Sequence, residues 1–276
     1  MRQMRVYISA DLEGVAGVVH GEHTARDGRE HERARRLMTA EVNAAVEGAF
    51  EAGAEAVVVN DAHGSMRNIL PEELDSRAEL VTGSPKPLGM LAGVDDGFDV
   101  AMFVGYHSRM GHPGVLNHTI AGSVVADVLF NGVPVGETGI NATVCGHFGV
   151  PVVLVTGDDQ VAQEARRFIA GVRTAVVKRA LGRYAARCLH PDRARELIRQ
   201  EAAAAVRGAV NVEPVRIRLP VEVTLRLQNT AMADAAELLP GTERIDPLTV
   251  RWQGGSALEA YRALRTMISL ASAVRR

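Results

Sequence analysis

Residues 6–14 read VYISADLEG, an apolar run that stops at two acids. Residues 6–10 have the length and composition of a strand buried on both faces. The run is too short for a secretion signal, and Asp11 and Glu13 follow it at once. The same pattern recurs downstream. AVVVN at residues 56–60 leads into NDAHG, with Asp61 and His63, and VAMFVG at residues 100–105 leads into His107 in GYHS. PVVLVT at residues 151–156 runs into GDDQ, where Asp158 or Asp159 is placed to cap a following helix. Between the first two runs, residues 30–52 carry Ala34, Leu37, Met38, Val42, Ala45, Val46 and Ala49 at helical spacing and stop at Gly53. Continuous apolar strands separated by helices indicate the α/β class, with a mostly parallel sheet flanked by helices.

Further along, residues 124–130 and 133–135 flank Asn131-Gly132 and read as a hairpin. Residues 138–148 read as a helix. The texture then changes. Residues 191–208 form a helical pattern with Pro191 near its start, and residues 254–273 form a closing helix. Between them Val215, Ile217, Leu219, Val221, Val223, Leu225 and Leu227 alternate with polar residues, as in a half-exposed strand or a hairpin broken at Pro220. These features suggest a smaller mixed α+β C-terminal lobe. The expected division is an α/β metal-binding catalytic region at residues 1–180 and a mixed lobe at 181–276.

Composition narrows the functional classes. At 276 residues and 47% hydrophobic the chain can bury a substantial core. Its net charge of −2, from 31 basic and 33 acidic residues, creates no field that would attract nucleic acid. No apolar stretch approaches the roughly 18 residues of a membrane span, so no membrane partner is expected. The two cysteines, Cys145 and Cys188, are far apart and form no CxxC pair, which fits a reducing cytoplasm rather than a disulfide scaffold.

The acids and histidines carry the chemistry. Asp11, Glu13, His63 and His107 each follow a predicted buried strand, and Glu137 follows the hairpin in VGETG. In a parallel sheet the carboxyl ends of the strands line one crevice, where ligands bind. Gly14, Gly64 and Gly105 flank these positions and permit tight turns and close backbone approach. Three carboxylates and two imidazoles exceed the three protein ligands usual for one catalytic zinc, and they suit two ions sharing a bridging carboxylate. Asp11 at the first strand end is the best placed to bridge. A water activated by the ions would serve as nucleophile at neutral pH. His118, in GVLNHT, is placed to act as general acid or base or to position the reacting group. His112 precedes Pro113 and reads as a turn residue, while His20, His23 and His31 read as surface residues. Cys145 on a helix reads as a small buried hydrophobe.

Taken together, SADLEG, NDAHG, GYHS, NHT and GETG resemble, in order, the motifs of the D-aminopeptidase family of zinc peptidases, the M55 group of the dipeptide-operon type. The resemblance runs from the first strand to at least Asp159. It implies a site for two Zn²⁺ ions held by Asp11, Glu13, His63, His107 and Glu137, with Asp11 shared and His118 as the catalytic histidine. It further implies removal of N-terminal D-residues such as D-Ala from short peptides, and a ring-like homo-oligomer, a decamer, with active sites facing an inner channel. The D-stereochemistry and the peptide bond come from the resemblance alone.

Two other readings compete. A two-metal phosphoesterase also gathers Asp and His at strand ends, and Asn117-His118 fits its pattern, but the first motif here is Asp-x-Glu rather than Asp-x-His. A non-catalytic, metal-containing peptide-binding protein would need a structural metal. Such sites are usually closed and cysteine-rich, and both cysteines lie away from the motifs.

Overall fold

A computed structural model describes residues 4–275. In chain order the elements are β1 (Arg5–Ala10), α1 (Gly21–Thr24), α2 (His31–Glu51), β2 (Ala56–Asp61), β3 (Ala78–Val81), β4 (Val100–Tyr106), β5 (Val125–Phe130), β6 (Val133–Pro134), α3 (Glu137–His147), β7 (Val152–Asp158), α4 (Asp159–Phe168), β8 (Arg173–Gly182), β9 (Ala185–Cys188), α5 (Pro191–Arg207), β10 (Val221–Leu227), α6 (Thr230–Ala236), β11 (Glu243–Asp246), β12 (Thr249–Gly254) and α7 (Ala257–Ala273).

The opening apolar run becomes the middle of a seven-stranded sheet ordered β3-β2-β1-β4-β7-β8-β9. Every pairing in it is parallel except β8 with β9. All seven residues of β4 and of β7 are buried. That explains their uninterrupted apolar sequences, since a strand covered on both faces has no polar side. Each fully buried Val, Leu or Phe there contributes roughly 1.5–3 kcal/mol. Helix α2 presents Ala34, Met38, Val42, Ala45, Val46 and Ala49 as its buried stripe. It packs beside α5, which also covers β7 and β8. The helices approach closely at Gly48, where a Cβ would lie 2.3 Å from the Arg199 carbonyl oxygen. Asp158 caps α4, accepting from the amides of Gln160 and Val161 at 3.0 and 2.8 Å.

The second sheet has five strands in the order β11-β12-β10-β5-β6 and is antiparallel throughout. Two of its strands, β5 and β6, come from the expected hairpin in the first half of the chain. Residue 180 itself falls inside β8 of the first sheet. Val221, Val223, Leu225 and Leu227 of β10 are buried in alternation, but the strand begins only after Pro220. Proline has no N–H to donate to a ladder, so residues 215, 217 and 219 stay outside the sheet. The short strands β3, β9 and β11, the helix α6, and β8, whose apolar run is broken by Lys178 and Arg179, had no clear period in the sequence. No helix among the described residues is long and apolar enough to cross a membrane.

Candidate metal centre

The order of the large sheet changes direction between β1 and β4, since the chain runs from β1 outward to β2 and β3 and then returns to add β4 on the other side. Crevices at the carboxyl ends of strands at such a switch point are ligand sites. Asp11 and Glu13 leave β1 there, His63 follows β2, and His107 follows β4. The Asp11 amide donates to Val104 at 2.8 Å and the Gly14 amide donates to Gly105 at 2.7 Å, which fastens the acid loop to β4. Glycine is needed where they meet. A Cβ on Gly14 would lie 2.0 Å from the Tyr106 carbonyl, and one on Gly105, whose φ is +71°, would lie 2.2 Å from the Asp11 carbonyl. Glu137 arrives from elsewhere, as the first residue of α3 after the β5–β6 hairpin.

Two clusters result, Asp11–Glu13–His63 and His107–His118–Glu137, each with its ligand atoms within 4.8 Å of one another. His63 Nδ1 lies 2.9 Å from Glu13 Oε2 and 3.3 Å from Asp11 Oδ1. His107 Nε2 lies 3.5 Å from Asp11 Oδ2 and 3.4 Å from Glu137 Oε1. The two oxygens of Asp11 thus face the two clusters. His118 stacks on His107 with ring centroids 4.2 Å apart and places Nε2 3.7 Å from Glu137 Oε1. All five expected ligands and the expected catalytic histidine therefore meet in one place.

The donor set fits two divalent cations. A metal-bound imidazole ordinarily donates its other N–H to a carbonyl or carboxylate, and each histidine here does so. His63 Nε2 donates to the Thr24 carbonyl at 2.9 Å, His107 Nδ1 to Ser108 at 3.0 Å, and His118 Nδ1 to Leu116 at 2.9 Å. The remaining nitrogens point at the carboxylates, and His107 Nε2 is buried without a hydrogen-bond partner. The charges agree. Burial, reinforced by the Glu13 charge, pushes Asp11 up to about 7. Burial opposes protonation of His107, yet Glu137 and its fellow acids push it up to about 10. His63 is likewise raised, chiefly by Glu13, against the effect of burial. Burial would raise Glu13, but His63 holds it well below the usual carboxylate range. Without cations, protons on imidazoles neutralise the acids; metal binding displaces such protons.

Surrounding residues hold this geometry. Asp61 turns inward and accepts from the amides of Asn68 and Ile69, and Asn68 Nδ2 donates to the His63 carbonyl at 2.7 Å. Below Asp11, the Tyr106 hydroxyl bonds Ser9 Oγ at 2.7 Å and accepts from Asn141 at 2.9 Å. His23 and His31, expected at the surface, are buried. His23 lies 3.3 Å from Glu30 and His31 Nε2 lies 3.2 Å from Asn68 Oδ1, because the loop after Glu13 folds back over the second strand end. His112 is half-buried and its Nδ1 donates to the Pro113 carbonyl at 3.0 Å, in keeping with its turn reading. Cys145 is buried, and burial pushes its thiol up, leaving an inert apolar side chain.

Two participants were not legible in the sequence. Lys178 is buried and its ammonium donates to the carbonyls of Glu13, Val15 and Val18, pinning the acid loop. Its only signal is a lysine ending an apolar strand. Arg265 on α7 lines the same cavity, of about 220 Å³, as Asp11, Glu13, His63, His118 and Glu137. In sequence it is one of many arginines on helices.

Carboxylates and imidazoles gathered at the switch point of a parallel sheet define a metal-dependent hydrolase. The Peptidase_M55 family, described as D-aminopeptidase, matches residues 4–266, and the chain belongs to it. It is 39% identical over 269 residues to a D-aminopeptidase of Bacillus subtilis strain 168, an alignment covering 97% of this chain and 98% of that one. Its structure is similar to that of the Zn-dependent D-aminopeptidase DppA from Bacillus subtilis, a self-compartmentalizing protease. The TM-score is 0.96 at 38% identity, covering 99% of this chain and 100% of the other.

Proposed function

We propose that the chain is a two-zinc aminopeptidase that removes N-terminal D-amino acids, such as D-Ala, from short peptides. The observation that carries this reading is the set of imidazoles, each anchored to a backbone carbonyl by one nitrogen and aiming the other at buried acids. Asp11, Glu13 and His63 would hold one ion, and Asp11, His107 and Glu137 would hold the other. When bound, the ions supply Lewis acidity toward the scissile carbonyl and an activated water as nucleophile. His118 stays outside both ligand sets. With its Nδ1–H donated to Leu116, Nε2 carries the lone pair that accepts a proton and returns it to the leaving amine. The cavity of about 220 Å³ is of a size for a short peptide.

Kinship with a self-compartmentalizing protease supports assembly of this chain into a closed homo-oligomer, for which we propose a decameric ring in the cytoplasm with the active sites facing inward. Sedimentation of the purified protein should give a single species of that size. The test of the activity is metal analysis coupled to hydrolysis of D-Ala-D-Ala and L-Ala-L-Ala. Two zinc ions per chain with turnover of the D-peptide are expected. Turnover of phosphate esters but no peptide, or bound metal with no turnover at all, would reject the aminopeptidase.

A further inference from the structure

We propose that Arg265 binds the free C-terminal carboxylate of the substrate and makes this enzyme selective for short peptides with an unblocked C-terminus. The inference rests on the aminopeptidase reading above and assigns the far end of the same site.

Arg265 sits on α7, a helix remote in sequence from every proposed ligand, and it is half-buried in the cavity wall. Among the described residues it has no carboxylate partner. Its NH1 donates to the Tyr261 hydroxyl at 3.1 Å, and its guanidinium carbon lies 5.8 Å from the centre of the Tyr261 ring. The Tyr261 hydroxyl in turn donates to the Leu88 carbonyl at 2.7 Å, so the arginine is steadied from below. A guanidinium has five N–H donors in a fixed fork, and only one is engaged here. Partial burial of a cation is costly unless a partner arrives, and a carboxylate matches the fork with two parallel hydrogen bonds. Lys86, the neighbouring cation, is not available for that role, because it donates to Asn60 Oδ1 at 2.5 Å and to the Asp61 carbonyl at 2.7 Å.

The backbone is shaped to seat this arginine. Gly89 has φ +51°, and a Cβ there would lie 1.7 Å from Arg265 NH1. A side chain at position 89 would displace the guanidinium. The dimensions suit a small ligand such as a dipeptide zwitterion. The cavity's roughly 220 Å³ is below the range of about 300–1,000 Å³ typical of pockets for drug-sized ligands. With the scissile bond at the acidic cluster, the only guanidinium among the lining residues is left for the substrate's other end. The cavity thus pairs an acidic pole for cations and the free amine with a basic pole for the free carboxylate.

The test compares D-Ala-D-Ala with D-alaninamide, which has the same N-terminal residue but no carboxylate, on the zinc-loaded native enzyme and on Arg265→Gln and Gly89→Ala. For the dipeptide, Arg265→Gln should raise KM about tenfold to a hundredfold, the equivalent of losing a charge-assisted hydrogen bond or two, with kcat within about threefold. KM and kcat for the amide should not move. Gly89→Ala should shift the same parameter in the same direction, less strongly. Equal losses on both substrates, or an unchanged dipeptide KM, would overturn the assignment while leaving the aminopeptidase intact. A native enzyme that cleaves neither compound would sink the aminopeptidase reading and this inference with it.

Discussion

The two halves of the metal centre are built differently. Asp11, Glu13 and His63 hang from adjacent parallel strands, β1 and β2, whose register runs unbroken from Arg5↔Ala56 to Ala10↔Asp61. His107, His118 and Glu137 come from a strand end, a loop and the first turn of a helix that follows the second sheet. The first half depends on one ladder of hydrogen bonds. The second depends on the docking of α3 against β4 and α7. Removing a ligand from either half is the harshest way to compare them. His63→Ala and Glu137→Ala should each abolish peptide hydrolysis, a loss of about a thousandfold or more (about 4 kcal/mol of transition-state stabilisation). Each should also lower zinc content, measured by elemental analysis of the dialysed protein. If either variant keeps two ions and near-native turnover, that half has been assigned wrongly.

His118 sharpens the comparison, because distance alone would let it join the second half as a ligand. Its ring stacks on His107 and its Nε2 approaches Glu137. A proton-transfer role predicts that His118→Ala loses about 10²–10⁴-fold in kcat with both zinc ions retained. A ligand role predicts the loss of one ion along with the activity. Near-normal turnover would remove His118 from the chemistry altogether.

The difference between the halves also explains what could be read from sequence. A buried parallel strand announces itself as an apolar run, and the residue that breaks the run sits at the crevice. Asp11, His63 and His107 were therefore placed by local pattern alone. Glu137 could be recognised as a helix-starting acid, but nothing local says that α3 points it at the sheet. The second sheet was the hardest part to read. It pairs β5 with β10 across almost a hundred residues, and antiparallel pairing at that separation leaves no trace in either segment. The alternation in residues 215–227 was visible, yet Pro220 decides which half of it joins a ladder. Lys178 and Arg265 were invisible for a related reason. Their roles come from where a single long side chain reaches, and no periodicity encodes that.

Lys178 braces the first half from the buried side, so weakening that brace should separate the two halves. Lys178→Met removes the ammonium donor from the carbonyls of Glu13, Val15 and Val18, of which Val15 keeps the Val18 amide. At about 1–3 kcal/mol for an unsatisfied buried group and about 2–4 °C per kcal/mol for a chain of this size class, Tm should fall by roughly 2–12 °C. Zinc should become easier to strip from the Asp11–Glu13–His63 half than from the other, as followed by chelator titration. Equal release from both halves would mean that the lysine stabilises the fold without shaping the site.

The smallest expected effect concerns Glu41, a second buried group that holds the acid loop, through the Ala16 amide. Glu41 on α2 accepts from the Ala16 amide at 2.9 Å, while its second carboxyl oxygen is buried without a partner. Burial pushes its carboxyl up to about 7, against the lowering effect of the Ala16 amide and of Lys178 and Arg195, the charged groups that face it. A carboxyl with a raised pKa in the folded state binds its proton more tightly there than in the unfolded chain. Its contribution to stability is therefore complete below the ordinary glutamate pKa, declines as pH rises toward about 7, and is absent above it. Glu41→Gln keeps an oxygen for the Ala16 amide and removes the ionisation. The variant should match the native protein near pH 4.5, lose less stability between there and pH 7, and melt a few degrees higher at pH 8. Parallel Tm-against-pH curves for the two proteins would show that Glu41 is already ionised in the fold.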